Sequence, residues 1–161
     1  MRGVVEEDAV RHLYVQTYAA LAEQLRGGAD GDVPAAAFAL VGDADLLPVT
    51  VVQLAFHPLD GLSTDAFIDG IVVDAAQRFA EPELVELTSG SGQITRLQQL
   101  RIVDEGEGLD PTVQTSVVHV CPGPTDGVVT TLSAWFPSPV DAQTSRAVLD
   151  ELAKSLRLGP A

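Results

Sequence analysis

Hydrophobic and polar residues alternate most clearly in the last fifty or so residues of the chain. The segments 113–121 and 128–136 alternate with a period of two, which predicts two strands joined by a turn rich in proline and glycine. A helix is expected to begin after Ser138, because Ser138 can cap it and Pro139 suits its first position. Neither the hairpin nor the helix can bury its apolar face alone, so we expect the two to pack together.

Apolar residues in this last helix recur at steps of three and four, which predicts one buried stripe. The residues between them are polar and are expected to face water. Gly159 and Pro160 are expected to end the helix. The predicted stripe consists of Val148, Leu149, Leu152 and Leu156, and the residues predicted to face water are Arg146, Asp150, Lys154 and Arg157.

The upstream part of the chain predicts further helices and strands. Apolar residues at helical spacing predict a helix over 8–26 and a second helix that begins at Ser63 or Thr64 and reaches Ala80. The element order predicts an α+β fold, with a mostly antiparallel sheet of about six strands packed with three helices. The four upstream strands are expected over 35–41, 48–57, 83–88 and 93–103.

Length and charge narrow the class of protein. A chain of 161 residues with 46% hydrophobic content predicts one domain over 1–161, whose largest core residues would be Trp135 and the five phenylalanines. The net charge of −14 argues against nucleic-acid binding and against an anionic membrane surface. With one cysteine, no signal-peptide core and no long apolar run, we expect a cytoplasmic protein without membrane insertion.

The element order and the run from Val117 through Trp135 to Leu158 resemble the Mog1/PsbP-like fold, which includes small actinobacterial proteins of uncharacterised function. The resemblance covers about 35–158 and leaves the predicted N-terminal helix outside. It implies a mostly non-catalytic function, since proteins of this fold bind a GTPase, a photosystem subunit or a secretion substrate. The rival architecture is a cone-shaped α+β barrel, which normally places two or three helices before a long curved sheet.

The sequence offers little support for a catalytic or metal-binding site. His119 and Cys121 lie on one face of a predicted strand, but Cys121 sits among apolar residues without a nearby base, so we expect it to be buried and inert. Three histidines without a close pair predict no metal site, and we expect no cofactor. Gly90-Ser91-Gly92 matches neither a phosphate-binding loop nor a nucleophile elbow, and a hairpin turn explains it.

Two sets of polar residues are candidate binding sites. Acidic runs between strands are usually solvated loops, but the first set could contact a protein partner that has a basic surface. The second set lies on the predicted strand 93–103 and either faces water on a half-exposed strand or lines a ligand groove. The acidic set is Asp104, Glu105, Glu107 and Asp110, and the groove set is Arg96, Gln98 and Gln99.

These observations favour a non-catalytic protein-binding module, an adaptor or chaperone for another polypeptide, rather than an enzyme. The alternative is a small-ligand-binding or enzymatic α+β domain with a pocket between sheet and helix. A cavity that contains His57 or His119 would favour the alternative, whereas a shallow charged surface would favour the protein-binding module.

Overall fold

The structure, a computed structural model, describes residues 34–41, 48–104, 106 and 110–157, with side chains from residue 50 onward. The described chain folds into an antiparallel sheet with helices, which confirms the predicted α+β class. It contains two α-helices, and the predicted helix over 8–26 lies outside the described residues. The prediction of three helices is therefore not confirmed.

One sheet contains every strand of the described chain, and all neighbouring strands are antiparallel. The strands are β1 (Pro34–Val41), β2 (Pro48–Pro58), β3 (Glu83–Ser89), β4 (Gly92–Val103), β5 (Thr112–Pro122) and β6 (Val128–Phe136). Their order across the sheet is β1-β2-β6-β5-β4-β3. The strands from β2 to β6 each begin and end within one residue of their predicted bounds, because alternation and turn residues mark the ends clearly.

The last helix, α2 (Pro139–Ser155), covers one face of the sheet and closes the main core. The predicted stripe is partly wrong: Leu149 is buried, but Val148 is 54% exposed, and the buried face instead includes Ala142, Ser145 and Ala153. The largest fully buried residue is Phe136.

The other helix, α1 (Thr64–Ile71), lies on the opposite face, where Ile68 packs against Val120 and Val129. It ends at Ile71 and not at Ala80 as predicted, and a short 3-10 turn, Ala75–Gln77, follows.

The side chain of Gln99 explains this early end. Its amide donates to the carbonyl of Ile71 at 3.2 Å and accepts from the N–H of Val73 at 2.6 Å. The chain then runs along β4, where the N–H of Phe79 bonds to the carbonyl of Leu100. A tertiary contact thus replaces the helical hydrogen bonds that the local pattern predicts.

The two helices begin differently. The Ser63 side chain accepts a hydrogen bond from the N–H of Ala66 at 3.1 Å and so caps α1. Ser138 occupies the capping position of α2, but its side chain makes no capping bond, so that predicted cap is wrong. Pro139 has no N–H to satisfy, and the first turn is exposed to water, which can take the remaining donors.

The β5–β6 turn depends on Gly123. A Cβ atom at this position would lie 2.2 Å from the carbonyl oxygen of Val128, to which the Gly123 N–H is bonded. Only glycine permits so close an approach of the two backbones.

In the part of the chain that the structure describes, no helix has the length and apolar character needed to cross a bilayer.

Candidate functional site

A buried ionic network joins α2 to the sheet. The register between β4 and β5 places Arg96 directly opposite His119, and both side chains point toward α2. There Asp150 accepts one hydrogen bond from Arg96 at 2.6 Å and another from His119 Nε2 at 2.7 Å. A second guanidinium nitrogen of Arg96 lies 3.4 Å from Glu83. Asp150, predicted to face water, is thus the centre of the network.

The two basic side chains of the network are shielded from solvent, whereas the Asp150 side chain is 16% exposed. His119 is fully buried and Arg96 is 5% exposed. Burial lowers the pKa of His119 below its ordinary value, although the hydrogen bond to Asp150 opposes the shift. A neutral His119 therefore donates its Nε2 proton to the Asp150 carboxylate. Because no substrate can reach this imidazole, we interpret the network as an anchor for α2.

Cys121 lies on the same face of the sheet and is buried, as predicted. Burial raises the pKa of its thiol to about 11. A thiol with so high a pKa is almost fully protonated at neutral pH and is a poor nucleophile. The structure therefore does not bring His119 and Cys121 to an accessible surface where they could act together.

The predicted groove residues do not line one groove. Successive residues of β4 point to opposite faces, so Arg96 and Gln98 face α2 whereas Gln99 faces α1. Arg96 belongs to the ionic network, and Gln99 holds the end of α1. Gln98 is half-buried, and its side-chain oxygen has no partner among the described residues.

The structure describes two of the four residues of the acidic set. Asp104 and Asp110 are exposed, and Asp104 accepts a hydrogen bond from the N–H of Gly106 at 3.0 Å. Glu105 and Glu107 lie outside the described residues. The contact of this loop with a protein partner stays a prediction.

A trough lies beside α1 on its face of the sheet and has a volume of about 320 Å³. Strands β2, β4, β5 and β6 form its floor, and α1 with the following Val73 forms one wall. Its volume falls at the lower end of the range for small-molecule pockets, about 300 to 1,000 Å³. The apolar lining residues are Ala55, Phe67, Ile71, Val73, Val118 and Trp135, and the polar ones are Gln53, His57, Gln99, Arg101, Ser116, Thr131 and Ser133.

The polar side chains of the trough divide into two groups. His57 and Thr131 are hydrogen-bonded at 2.9 Å, and the ring of His57 lies 5.2 Å from that of Phe67, so these side chains are held in place. A second group makes no side-chain hydrogen bond within the described chain and includes Ser116, which is only 3% exposed. This second group consists of Gln53, Arg101, Ser116 and Ser133.

Trp135 completes the trough. It is the single tryptophan of the chain and is 39% exposed, so it is not the core residue that the sequence predicts. Phe136 beside it is fully buried on the other face of the sheet. Large aromatic side chains with one open face are common anchors for ligands.

A larger recess, about 460 Å³, lies on the same face, near the start of α1 and the β5–β6 turn. Its carboxylate Glu86 already accepts hydrogen bonds from Gln93 and Thr95, and Asp65 and Asp126 add further negative charge. Among the described residues, no group of three or more His, Cys, Asp or Glu side chains could hold a metal. The trough is the better candidate because four of its polar side chains, Gln53, Arg101, Ser116 and Ser133, make no side-chain hydrogen bond within the described chain.

We found no protein-family model, no curated protein and no solved structure that matches this chain. The Mog1/PsbP-like fold therefore stays a prediction. Sequence reasoning missed the trough, although its signal was present: Gln53 and His57 alternate along β2, as Thr131 and Ser133 do along β6. Polar residues on one face of two neighbouring strands indicate a surface that no apolar helix covers.

Proposed function

We propose that this protein is a non-catalytic domain that binds a small organic molecule in the trough beside α1. The observation that carries the proposal is the convergence on one concave surface of an exposed tryptophan and of polar side chains that have no partner within the described chain. Folded proteins pair most of their buried polar groups. A ligand could supply the hydrogen-bonding partners that Ser116, Ser133 and Gln53 lack within the described chain.

The position of His57 supports binding of a small ligand over binding of a protein. The sequence favours a protein-binding module, but a cavity between sheet and helix that contains His57 is the feature expected of the alternative. The trough also combines aromatic walls with a few placed polar groups, which is typical of small-molecule sites. An adaptor or chaperone function stays a prediction that rests on the Mog1/PsbP-like resemblance, and a basic partner surface is a prediction that rests on charge.

Fluorescence of Trp135 provides a direct test, because it is the single tryptophan and lines the trough. A panel of neutral and anionic aromatic and aliphatic fragments is titrated into the full chain while its emission is recorded. Ser133→Phe should fill the trough and weaken binding at least about 10-fold, whereas Gln143→Phe, on the exposed side of α2, should leave it unchanged.

Thermal unfolding of both variants shows whether they are folded. Failure of every fragment to bind saturably would overturn the proposal. Unchanged binding by a folded Ser133→Phe protein would place the site elsewhere and would overturn it too.

A further inference from the structure

Among the described residues, Arg101 is the one permanently charged side chain that lines the trough. No carboxylate of the described chain lines it, and the only other titratable lining residue there is His57. The Nε atom of Arg101 is buried and has no hydrogen-bond partner within the described chain, and its guanidinium forms no ion pair there. A buried donor without an acceptor is unfavourable. Within the described chain the charge of Arg101 is therefore not neutralised, and an anion would supply the missing counter-charge.

A second arginine stands directly opposite Arg101. Arg78 forms an isolated antiparallel bridge with it, so the two side chains start from the same face of the sheet. Arg78 is already occupied, because its Nε donates to the carbonyl of Val73 at 2.7 Å and its guanidinium pairs with Glu81 at 3.3 Å. Like charges in such a pair repel each other, which destabilises the protein unless an anion lies near them.

The charge of the surrounding sequence makes this placement unusual. Residues 33–111 contain thirteen acidic and only three basic residues, and two of those three form the Arg78–Arg101 pair. The strand register also places Arg101 and His57 at opposite ends of the trough. The trough thus has a cationic end. Trp135 lies level with Gln99, near Arg101, and Phe67 lies beside His57 at the other end.

We propose that the ligand is an organic monocarboxylate whose carboxylate binds Arg101 and whose apolar body lies against Trp135 and Phe67. This inference rests on the proposed function of the trough. The planar fork of a guanidinium matches a carboxylate and binds it through two parallel hydrogen bonds. A single unpaired guanidinium in a chain of net charge −14 suits a monoanion better than a doubly charged phosphate.

Matched acids and amides test the inference, because they differ in charge and hardly in shape. Phenylacetate is compared with phenylacetamide, and hexanoate with hexanamide, by titration of Trp135 emission in the full chain. The unchanged protein should bind each acid at least about 10-fold more tightly than its amide. Arg101→Gln should bind acid and amide equally well, and Arg101→Lys should retain part of the preference.

Arg157→Gln is the control, since it makes the same charge change at an exposed position after α2, and it should keep the full preference. Unfolding measurements separate binding from a structural role. Removal of one of two neighbouring arginines should leave the stability of the ligand-free Arg101→Gln protein unchanged or slightly raised, and a large loss of stability would contradict the proposal.

Equal affinity of the unchanged protein for acids and amides would overturn the inference while leaving the trough as a binding site. Absence of binding by acids and amides alike would overturn both proposals.

Discussion

The two faces of the sheet use polar side chains in opposite ways. On the face covered by α2, Arg96, His119 and Asp150 bind one another inside an apolar core. On the face beside α1, polar side chains such as Ser116 and Arg101 point into a trough and lack partners within the described chain. Polarity alone therefore does not distinguish a structural site from a binding site. Both faces contain buried polar atoms without partners within the described chain, among them Arg96 Nε and His119 Nδ1 under α2 and Arg101 Nε beside α1. The distinguishing feature is that the side chains beside α1 line a cavity that a ligand can enter.

The largest expected effect comes from the α2 face. Asp150→Ala should lower the free energy of unfolding by about 3 to 5 kcal/mol, because it leaves Arg96 and His119 buried without their partner. Chemical denaturation measures this loss. Fragment binding at the trough should persist wherever the variant is folded.

Glu151→Ala is the matched control for this substitution. Glu151 is the next residue of α2 but forms only an exposed pair with Lys154. Its loss should change stability by less than about 0.5 kcal/mol. If both variants lose similar amounts of unfolding free energy, the network contributes no more to stability than an exposed ion pair.

The contribution of the α2 face to stability should also depend on pH, because it includes His119. Burial depresses the pKa of His119 below its ordinary value of 6.5, so the unfolded chain takes up this proton at a higher pH than the folded protein does. The stability that depends on neutral His119 is complete above about pH 6.5 and is lost as the pH falls through the depressed pKa.

His119→Gln should have a lower stability at pH 7.5 and a shallower decline between pH 7 and pH 5 than the unchanged protein. Denaturation at a series of pH values checks this. If the stabilities of both proteins decline in parallel as the pH falls, protonation of His119 is not the cause of the decline.

The helix caps give a smaller contrast between the two faces. Ser63→Ala should destabilise α1 by about 1 kcal/mol, because it removes the capping bond to Ala66. Ser138→Ala should cost less than about 0.5 kcal/mol, because that side chain makes no such bond. Denaturation curves of the two variants decide the order, and a larger loss for Ser138→Ala would reverse it.

The smallest effect on stability is expected from the acidic loop. Conversion of Asp104, Glu105, Glu107 and Asp110 to their amides should hardly change unfolding. If the loop contacts a basic protein partner, the substitutions should slow association with a partner captured from native lysate at low salt. Added salt should slow it as well, as the Debye length shortens. An association rate that is indifferent to both changes would mean that the loop only keeps the protein soluble.

The sequence predicts those structural features that local residue patterns determine. Alternation and turn residues place β2 to β6 closely, and the apolar neighbours of Cys121 predict its burial. It does not predict features that depend on distant partners. The end of α1 is set by Gln99, 28 residues further along the chain. The role of Asp150 depends on the β4–β5 register, which the alternation within either strand leaves open.

Methyl NMR tests the division between the two faces most directly, because neighbouring residues of β5 point in opposite directions. Val117 is buried under α2, whereas Val118 lines the trough. On addition of phenylacetate, we expect the methyl resonances of Ile71, Val73 and Val118 to shift and those of Val117 and Leu149 to stay unchanged. Shifts at Val117 and Leu149 without shifts at Val118 would contradict the assignment of binding to the trough.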